Sequence, residues 1–196
     1  MWSISYFRVS HDHAFRLPKW LVLLTFLFCT STHPLCAQRD TEEYRIKAAF
    51  IFHFAQLIEW PDAGLPDPQV LWFCTQGDDP FQGELDRMVT GKQIGSRTIR
   101  VRHLKRGADV RSCQLLFIAD GNAKETAALL QQLGNAPLVT VGDSDNFVQR
   151  GGMIGFCMDD NKVRFEINLH AAERAQVAIS SRLLALAKTI VGKTGS

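Results

Sequence analysis

The residues of this 196-residue chain that could do chemistry are few and widely separated. Beyond residue 40 the histidines are His53, His103 and His170, and they lack the HxH or HExxH spacing of a zinc site. Ser180 and Ser181 lack the GxSxG context that exposes a nucleophilic serine, so helix capping is the preferred interpretation. These patterns favour a protein without catalytic activity.

Acidic residues offer two further possibilities. Asp143 and Asp145 stand two apart after a predicted strand, where carboxylates can bind a cation, but the run lacks the glycine and distal glutamate of an EF-hand loop. We therefore interpret it as a solvated turn. Glu59 and Glu166 could form an acid–base pair only if the fold joined them, and the sequence does not predict that. Neither a metal nor a cofactor is expected.

The N-terminal segment has the features of a secretory signal. Basic residues precede an apolar run at 20–28, and about nine apolar residues are too few for a bilayer, which needs about 20. The run Leu35-Cys36-Ala37 offers a cleavage point after Ala37. The sequence predicts a signal peptide over 1–37 and an exported domain over 38–196. The alternative is an uncleaved membrane anchor.

Charge and cysteine content further limit the function. Segment 1–37 holds 3 of the 22 basic and 1 of the 20 acidic residues, so the remainder is neutral (22 − 3 = 19 and 20 − 1 = 19). A neutral domain gives no electrostatic argument for binding nucleic acid. Cleavage would leave Cys74, Cys113 and Cys157. In an oxidising compartment three cysteines allow one disulfide and one free thiol, but composition does not identify which two are paired.

Strand and helix patterns alternate along the rest of the chain. Helices are predicted at 43–60, 78–89 and 122–134, strands at 69–75, 96–104, 113–120 and 137–143, a β-hairpin around 159–161, and a helix or broken helix pair at 170–191. The pattern predicts an α/β single-domain sandwich, with a mixed sheet that includes an antiparallel hairpin and is flanked by helices.

The helix predicted at 43–60 is apolar over most of its circumference. On a helical wheel, Phe52 interrupts its polar stripe, and Lys47 falls inside the apolar arc, where we expect its stem to snorkel towards solvent. Either the helix lies deep in the core, or part of its surface binds a second protein, which could be another copy of the chain. Leaving Phe52 or Trp60 uncovered would forgo about 1.5–3 kcal/mol of burial each.

Several segments together resemble the YfiR/HmsC-like family of exported bacterial proteins. The matching runs are YRIKAAFIFHFAQLIEWP, LWFCTQGDDPF, CQLLFIAD, PLVTVGD with Phe147, GGMIGF, and VRFEINLHAAERAQVAISSRLLALA. The resemblance implies a non-catalytic periplasmic α/β protein that binds the periplasmic sensor region of an inner-membrane GGDEF diguanylate cyclase. Inhibition would lower cyclic di-GMP and biofilm formation, and a partner on the outer-membrane side would relieve it. The alternative is a periplasmic small-ligand-binding sensor that acts through another partner.

The resemblance also implies a disulfide between Cys74 and Cys113. A simple parallel alignment of their strands would leave the two Cα atoms about 15 Å apart, whereas a disulfide needs them within about 7 Å. The strands must then be staggered or paired differently. Cys157 matches one half of a second bridge found in some relatives, but no other cysteine lies near it in the sequence. It is either a buried thiol or a redox-responsive one.

Partner contacts are expected at two places. Phe156 and Glu166, on neighbouring hairpin arms, occupy positions that resemble those used in the family for receptor control. The alternative is plain packing for Phe156 and a cross-strand pair for Glu166. With Phe52 and Trp60 of the helix, they form the predicted partner-binding set.

Overall fold

The structure is a computed structural model that describes residues 35–60, 67–119 and 121–192, with side chains from residue 41 onward. The chain divides into two compact units, Met1–Cys36 and Ala37–Ser196, and almost all described residues belong to the second. The predicted signal peptide lies almost wholly outside the described residues, as does Pro61.

The apolar helix, α1, spans Leu35–Gln56 and is followed by a short strand, β1, at Ile58–Glu59. The sequence predicted that α1 would end at Trp60, whereas it ends at Gln56. The reason is that β1 pairs antiparallel with a strand near the C-terminus, and this pairing replaces the hydrogen bonds of a further helical turn. The fully buried residues of α1 lie on one face and include Ala48, Ile51, Phe54 and Ala55.

The main sheet has eight strands in the order β10-β8-β7-β6-β5-β2-β4-β3. Their bounds are β2 Val70–Gln76, β3 Gln93–Ile94, β4 Arg97–Leu104, β5 Leu115–Ile118, β6 Val139–Gly142, β7 Ile154–Asp159, β8 Lys162–Asn168 and β10 Thr189–Val191. Strands β4, β2, β5, β6 and β7 run parallel, and the β3–β4 and β7–β8 pairs are antiparallel. The predicted mixed α/β sheet with an antiparallel hairpin is thereby confirmed.

Alternate side chains of the central strands enter two different apolar clusters. In β5, Leu115 and Phe117 join the larger cluster, which includes Phe54 of α1. Leu116 and Ile118 join the smaller one. Burial on both faces explains why the central strands are continuous apolar runs in the sequence.

Helices α2 (Glu84–Val89) and α3 (Ala123–Leu133) follow β2 and β5. The α3 prediction is confirmed, with Asn122 capping its start and Gly134 following its end. Helix α2 is shorter than predicted, because the Asp79 carboxylate accepts the N–H groups of Phe81 and Gly83 and holds that segment in a turn.

The hairpin turn lies at Asp160 and Asn161, whose φ angles of 48° and 59° suit a tight hairpin connection. Beyond β8 the chain forms α4 (Leu169–Arg174), β9 (Ala178–Ile179) and α5 (Ser181–Leu186) before β10. The predicted broken helix pair is therefore present, with Ser180 capping α5. Strand β9, the partner of β1, and strand β10, which pairs parallel with β8, were not predicted.

Cys74 and Cys113 form a disulfide, with their Cα atoms 5.9 Å apart. In the parallel β2–β5 register Cys74 lies opposite Leu116, three residues after Cys113. A straight strand would place Cys113 about 10 Å along the sheet. The chain instead turns before β5, where the Cys113 N–H donates to the Val110 carbonyl, and the turn brings the two cysteines together.

Candidate functional site

A cavity of about 460 Å³ lies beside strand β7, where strand β6 stops. The β6–β7 pairing ends at Gly142 and Gly155, while β7 continues to Asp159. The cavity, which we call the β7 cavity, is lined by Glu43, Lys47, Asp143, Ser144, Asp145, Asn146, Phe147, Gln149, Gly155, Phe156, Cys157, Met158 and Glu166. Carboxyl ends of strands, such as that of β6, are where open α/β sheets commonly bind ligands.

A buried ion cluster forms one wall of the β7 cavity. Lys47 Nζ lies 2.6 Å from Glu43 Oε1 and 2.8 Å from Asp143 Oδ2. The Lys47 and Asp143 side chains are only 6% and 4% exposed. The Tyr44 hydroxyl donates to the same Asp143 oxygen, and its ring centroid lies 4.3 Å from the ammonium.

Two sequence predictions were therefore wrong. Lys47 does not extend to solvent, because its counter-charge is supplied inside the protein by Asp143, 96 residues away in the chain. Asp143 is not part of a solvated turn, although Asp145 is exposed. A buried charge persists only when it is paired, and the pairing had no signal in the sequence.

The loop after β6 packs closely against the sheet. The Phe147 ring covers Gly142 and Gly152 so closely that a Cβ added to them would lie 2.4 and 2.1 Å from ring atoms. On the other side of the loop, buried Asn168 donates to the Val148 carbonyl and caps α4 by accepting from Ala171 N. These contacts fix the position of Asp143 and its neighbours.

Phe156 and Glu166 line the β7 cavity together. Phe156 is 5% exposed, and its ring contacts those of Phe50 and Phe54, which matches the packing alternative for this residue. Glu166 lies opposite Gly155, which has no side chain to pair with. Their contact with a partner stays a prediction.

Phe52 and Trp60 lie elsewhere. Both are half-buried against the larger apolar cluster. The Trp60 indole N–H donates to the Ala55 carbonyl at 2.8 Å, and its ring lies 6.4 Å from that of Phe73. The Phe52 ring lies 6.0 Å from that of His53. Each keeps part of its side chain accessible, and their partner role also stays a prediction.

The sequence did not predict a series of hydrogen bonds that links a hydroxyl, an imidazole and a carboxylate. The Thr75 hydroxyl lies 2.8 Å from His103 Nδ1, and His103 Nε2 lies 3.0 Å from Asp86 Oδ2. Such a chain can activate a nucleophile. Here, however, Thr75 is 1% exposed, so substrate cannot reach its hydroxyl. These hydrogen bonds instead connect Asp86 of α2 to the sheet.

Cys157 is a free, partly exposed thiol on β7. Its pKa is raised above the ordinary value by burial and then by the carboxylate of Glu166, against the lowering effect of Lys188. Since the thiolate is the reactive form, we expect Cys157 to react with iodoacetamide at pH 7.5 more slowly than an unstructured cysteine peptide.

The change Glu166→Gln removes one cause of the raised Cys157 pKa and should speed the alkylation of Cys157. Mass spectrometry of timed samples measures both rates. A Cys157 that reacts faster than the peptide would instead fit the redox-responsive interpretation.

Within the described residues, no group of histidine, cysteine, aspartate or glutamate side chains has the geometry to hold a metal ion. No helix in this part of the chain is long and apolar enough to cross a membrane.

A mixed sheet covered on both faces, with a cavity where one strand ends, defines an α/β fold. The model of the YfiR/HmsC-like family matches residues 44–188, and the chain belongs to this family. The family is one of periplasmic regulatory proteins, which is consistent with a non-catalytic role for this chain. No curated protein matches the chain.

Two solved structures are similar to the chain. One is a conserved domain protein from Vibrio cholerae O1 biovar eltor strain N16961, with 13% identity, 75% of this chain covered and a TM-score of 0.50. It supports the fold alone. The other is the ABC domain in complex with L-Trp from Streptococcus pneumonia, with 8% identity, 76% coverage and a TM-score of 0.49. The chain spans 60% of the length of each.

Proposed function

We propose that the protein binds the periplasmic sensor region of an inner-membrane diguanylate cyclase and inhibits it, which lowers cyclic di-GMP and biofilm formation. The observation that carries this proposal is the family match over residues 44–188, which includes α1 from Tyr44 onward and the β7–β8 hairpin. An exported chain would meet the cyclase at the periplasmic face of the inner membrane.

Inhibition requires that the protein bind the inactive state of the cyclase more tightly than the active state. Shifting a receptor from 1% to 99% inactive would need an affinity difference of about 10⁴. An interface of this kind needs apolar side chains that a partner can cover. Phe52 and Trp60, both half-exposed, are suited to this role.

The hairpin and α1 form one packed unit, because Phe50 contacts Phe54, Phe156 and Phe165. A partner that displaces the hairpin would therefore disturb α1. This coupling offers a route by which a release partner on the outer-membrane side could relieve inhibition. A homodimer through the same helix is a further proposal.

The second candidate function is a periplasmic sensor of a small ligand. The β7 cavity favours it, since about 460 Å³ is within the usual range of ligand sites. The two functions are compatible, because ligand binding beside Phe156 and Glu166 could control the contact with a cyclase.

Deleting the gene is expected to raise cellular cyclic di-GMP severalfold, because the cyclase loses its inhibitor. Mass spectrometry of nucleotide extracts measures the change, and a plasmid copy of the wild-type gene should reverse it. A cyclic di-GMP level that is the same with and without the protein, in cells that produce the cyclase, would rule out the inhibitory role.

A further inference from the structure

We propose that the β7 cavity binds a small linear diamine or polyamine. Four carboxylates line it, those of Glu43, Asp143, Asp145 and Glu166, against the single ammonium of Lys47. A site with this excess of negative charge attracts a ligand with more than one positive charge.

Lys47 does not neutralise this excess. Its ammonium is already occupied by Glu43 and by Oδ2 of Asp143, beside the Tyr44 ring. The remaining Asp143 oxygen, Oδ1, and the Ser144 hydroxyl are buried and have no hydrogen-bond partner among the described residues. Ser144 as a whole is 7% exposed. A buried acceptor without a donor is costly, and an incoming ammonium would supply the N–H groups that both oxygens lack.

A second ammonium would find carboxylates elsewhere in the cavity. Asp145 is exposed and Glu166 half-buried, and neither has an ion-pair partner in the part of the chain that the structure describes. Lys188, whose charge acts on the same region, is held by Asp159 at 2.8 Å. Acidic residues in addition to Asp143 suit a ligand that carries more than one ammonium group.

The apolar part of the lining fits the methylene chain of such a ligand. Phe156 and Met158, both on strand β7, also line the cavity, and Met158 is 50% exposed. The Phe156 ring already lies 5.9 Å from the Lys47 ammonium, so the ring can face a cation. A bare metal ion is a poorer fit, because the carboxylates do not converge on one point in the described residues.

Isothermal titration calorimetry with cadaverine and spermidine tests the proposal, with 1,5-pentanediol as the uncharged analogue and Mg²⁺ as the metal alone. We expect saturable one-to-one binding of the amines and none of the diol. Glu166→Gln should weaken amine binding about tenfold, because it removes a charged acceptor. Ser144→Ala should weaken it about threefold without any change in charge.

The matched control is Glu173→Gln, which removes the same charge from an exposed helix position outside the cavity lining. It should leave amine affinity unchanged, and thermal melting should show that every variant is folded. The proposal is overturned if folded protein binds neither amine, if the diol or Mg²⁺ binds instead, or if Glu166→Gln and Glu173→Gln weaken binding equally. Direct binding does not depend on the inhibitory role proposed above, so its failure would leave that role standing.

Discussion

Replacing Lys47 by methionine is expected to lower the free energy of unfolding by about 3–5 kcal/mol, because removing one partner leaves a buried charge uncompensated. In this variant Asp143, 4% exposed, would lose its cation, and Glu43 would add like charge nearby. Methionine retains the length of the side chain, so the loss reports on charge more than on packing. Urea denaturation followed by circular dichroism measures the change.

Arg45→Met is the matched control. It removes a cation two residues away on the same helix, but its pair with Glu42 is exposed, at 59% and 55%. Exposed pairs contribute about 0–1 kcal/mol. Adding Asp143→Asn to Lys47→Met should recover part of the lost stability, since it removes the unpaired charge. Equal losses in Lys47→Met and Arg45→Met would contradict the buried ion pair.

Removing the disulfide with the double change Cys74→Ala and Cys113→Ala should cost about 4 kcal/mol of unfolding free energy in the chain-entropy model. The bond closes a loop with a sequence separation of 39 residues, which it prevents from opening in the unfolded chain. Guanidinium denaturation of the oxidised wild type and the double variant gives the difference.

The third cysteine supplies the control for this prediction. Cys157→Ala should change stability far less, since Cys157 is free and partly exposed. Mass spectrometry of non-reduced peptides should recover residues 74 and 113 in one cross-linked species. A free Cys74 thiol in protein purified from the periplasm would show that the pairing is wrong.

Much of the fold could be predicted from the sequence because the central strands consist almost entirely of apolar residues. Both faces are buried in strands β5 (Leu115–Ile118) and β6 (Val139–Gly142). An apolar run of strand length between turn residues is the sequence pattern that indicates such a strand. The hairpin was equally clear, since Asp160 and Asn161 tolerate the left-handed backbone of a tight turn.

What the sequence did not predict depends on contacts between distant residues. The end of α1 at Gln56 follows from pairing between two-residue strands, β1 and β9, which are too short to leave a pattern. The prediction for Lys47 considered only its own helix, whereas Lys47 is buried against Asp143, which directly follows strand β6.

The candidate site was predicted only in part. The resemblance pointed to Phe156 and Glu166, and the structure brings both to one cavity. Its ion cluster and the unpartnered Ser144 hydroxyl were missed, because single polar residues in a loop carry no periodicity. Phe52 and Trp60 lie outside the cavity lining, and the partner role of all four residues stays a prediction.

Capture of the diguanylate cyclase by the tagged protein, purified from solubilised membranes, tests the regulatory role most directly. The wild type should retain the cyclase, identified by its GGDEF domain in mass spectrometry. Phe52→Glu should lose it, because a carboxylate in an apolar interface is costly. Gln56→Glu adds the same charge one turn away at an exposed position and should retain the cyclase. Failure of the folded wild-type protein to retain any membrane diguanylate cyclase would contradict the proposed function.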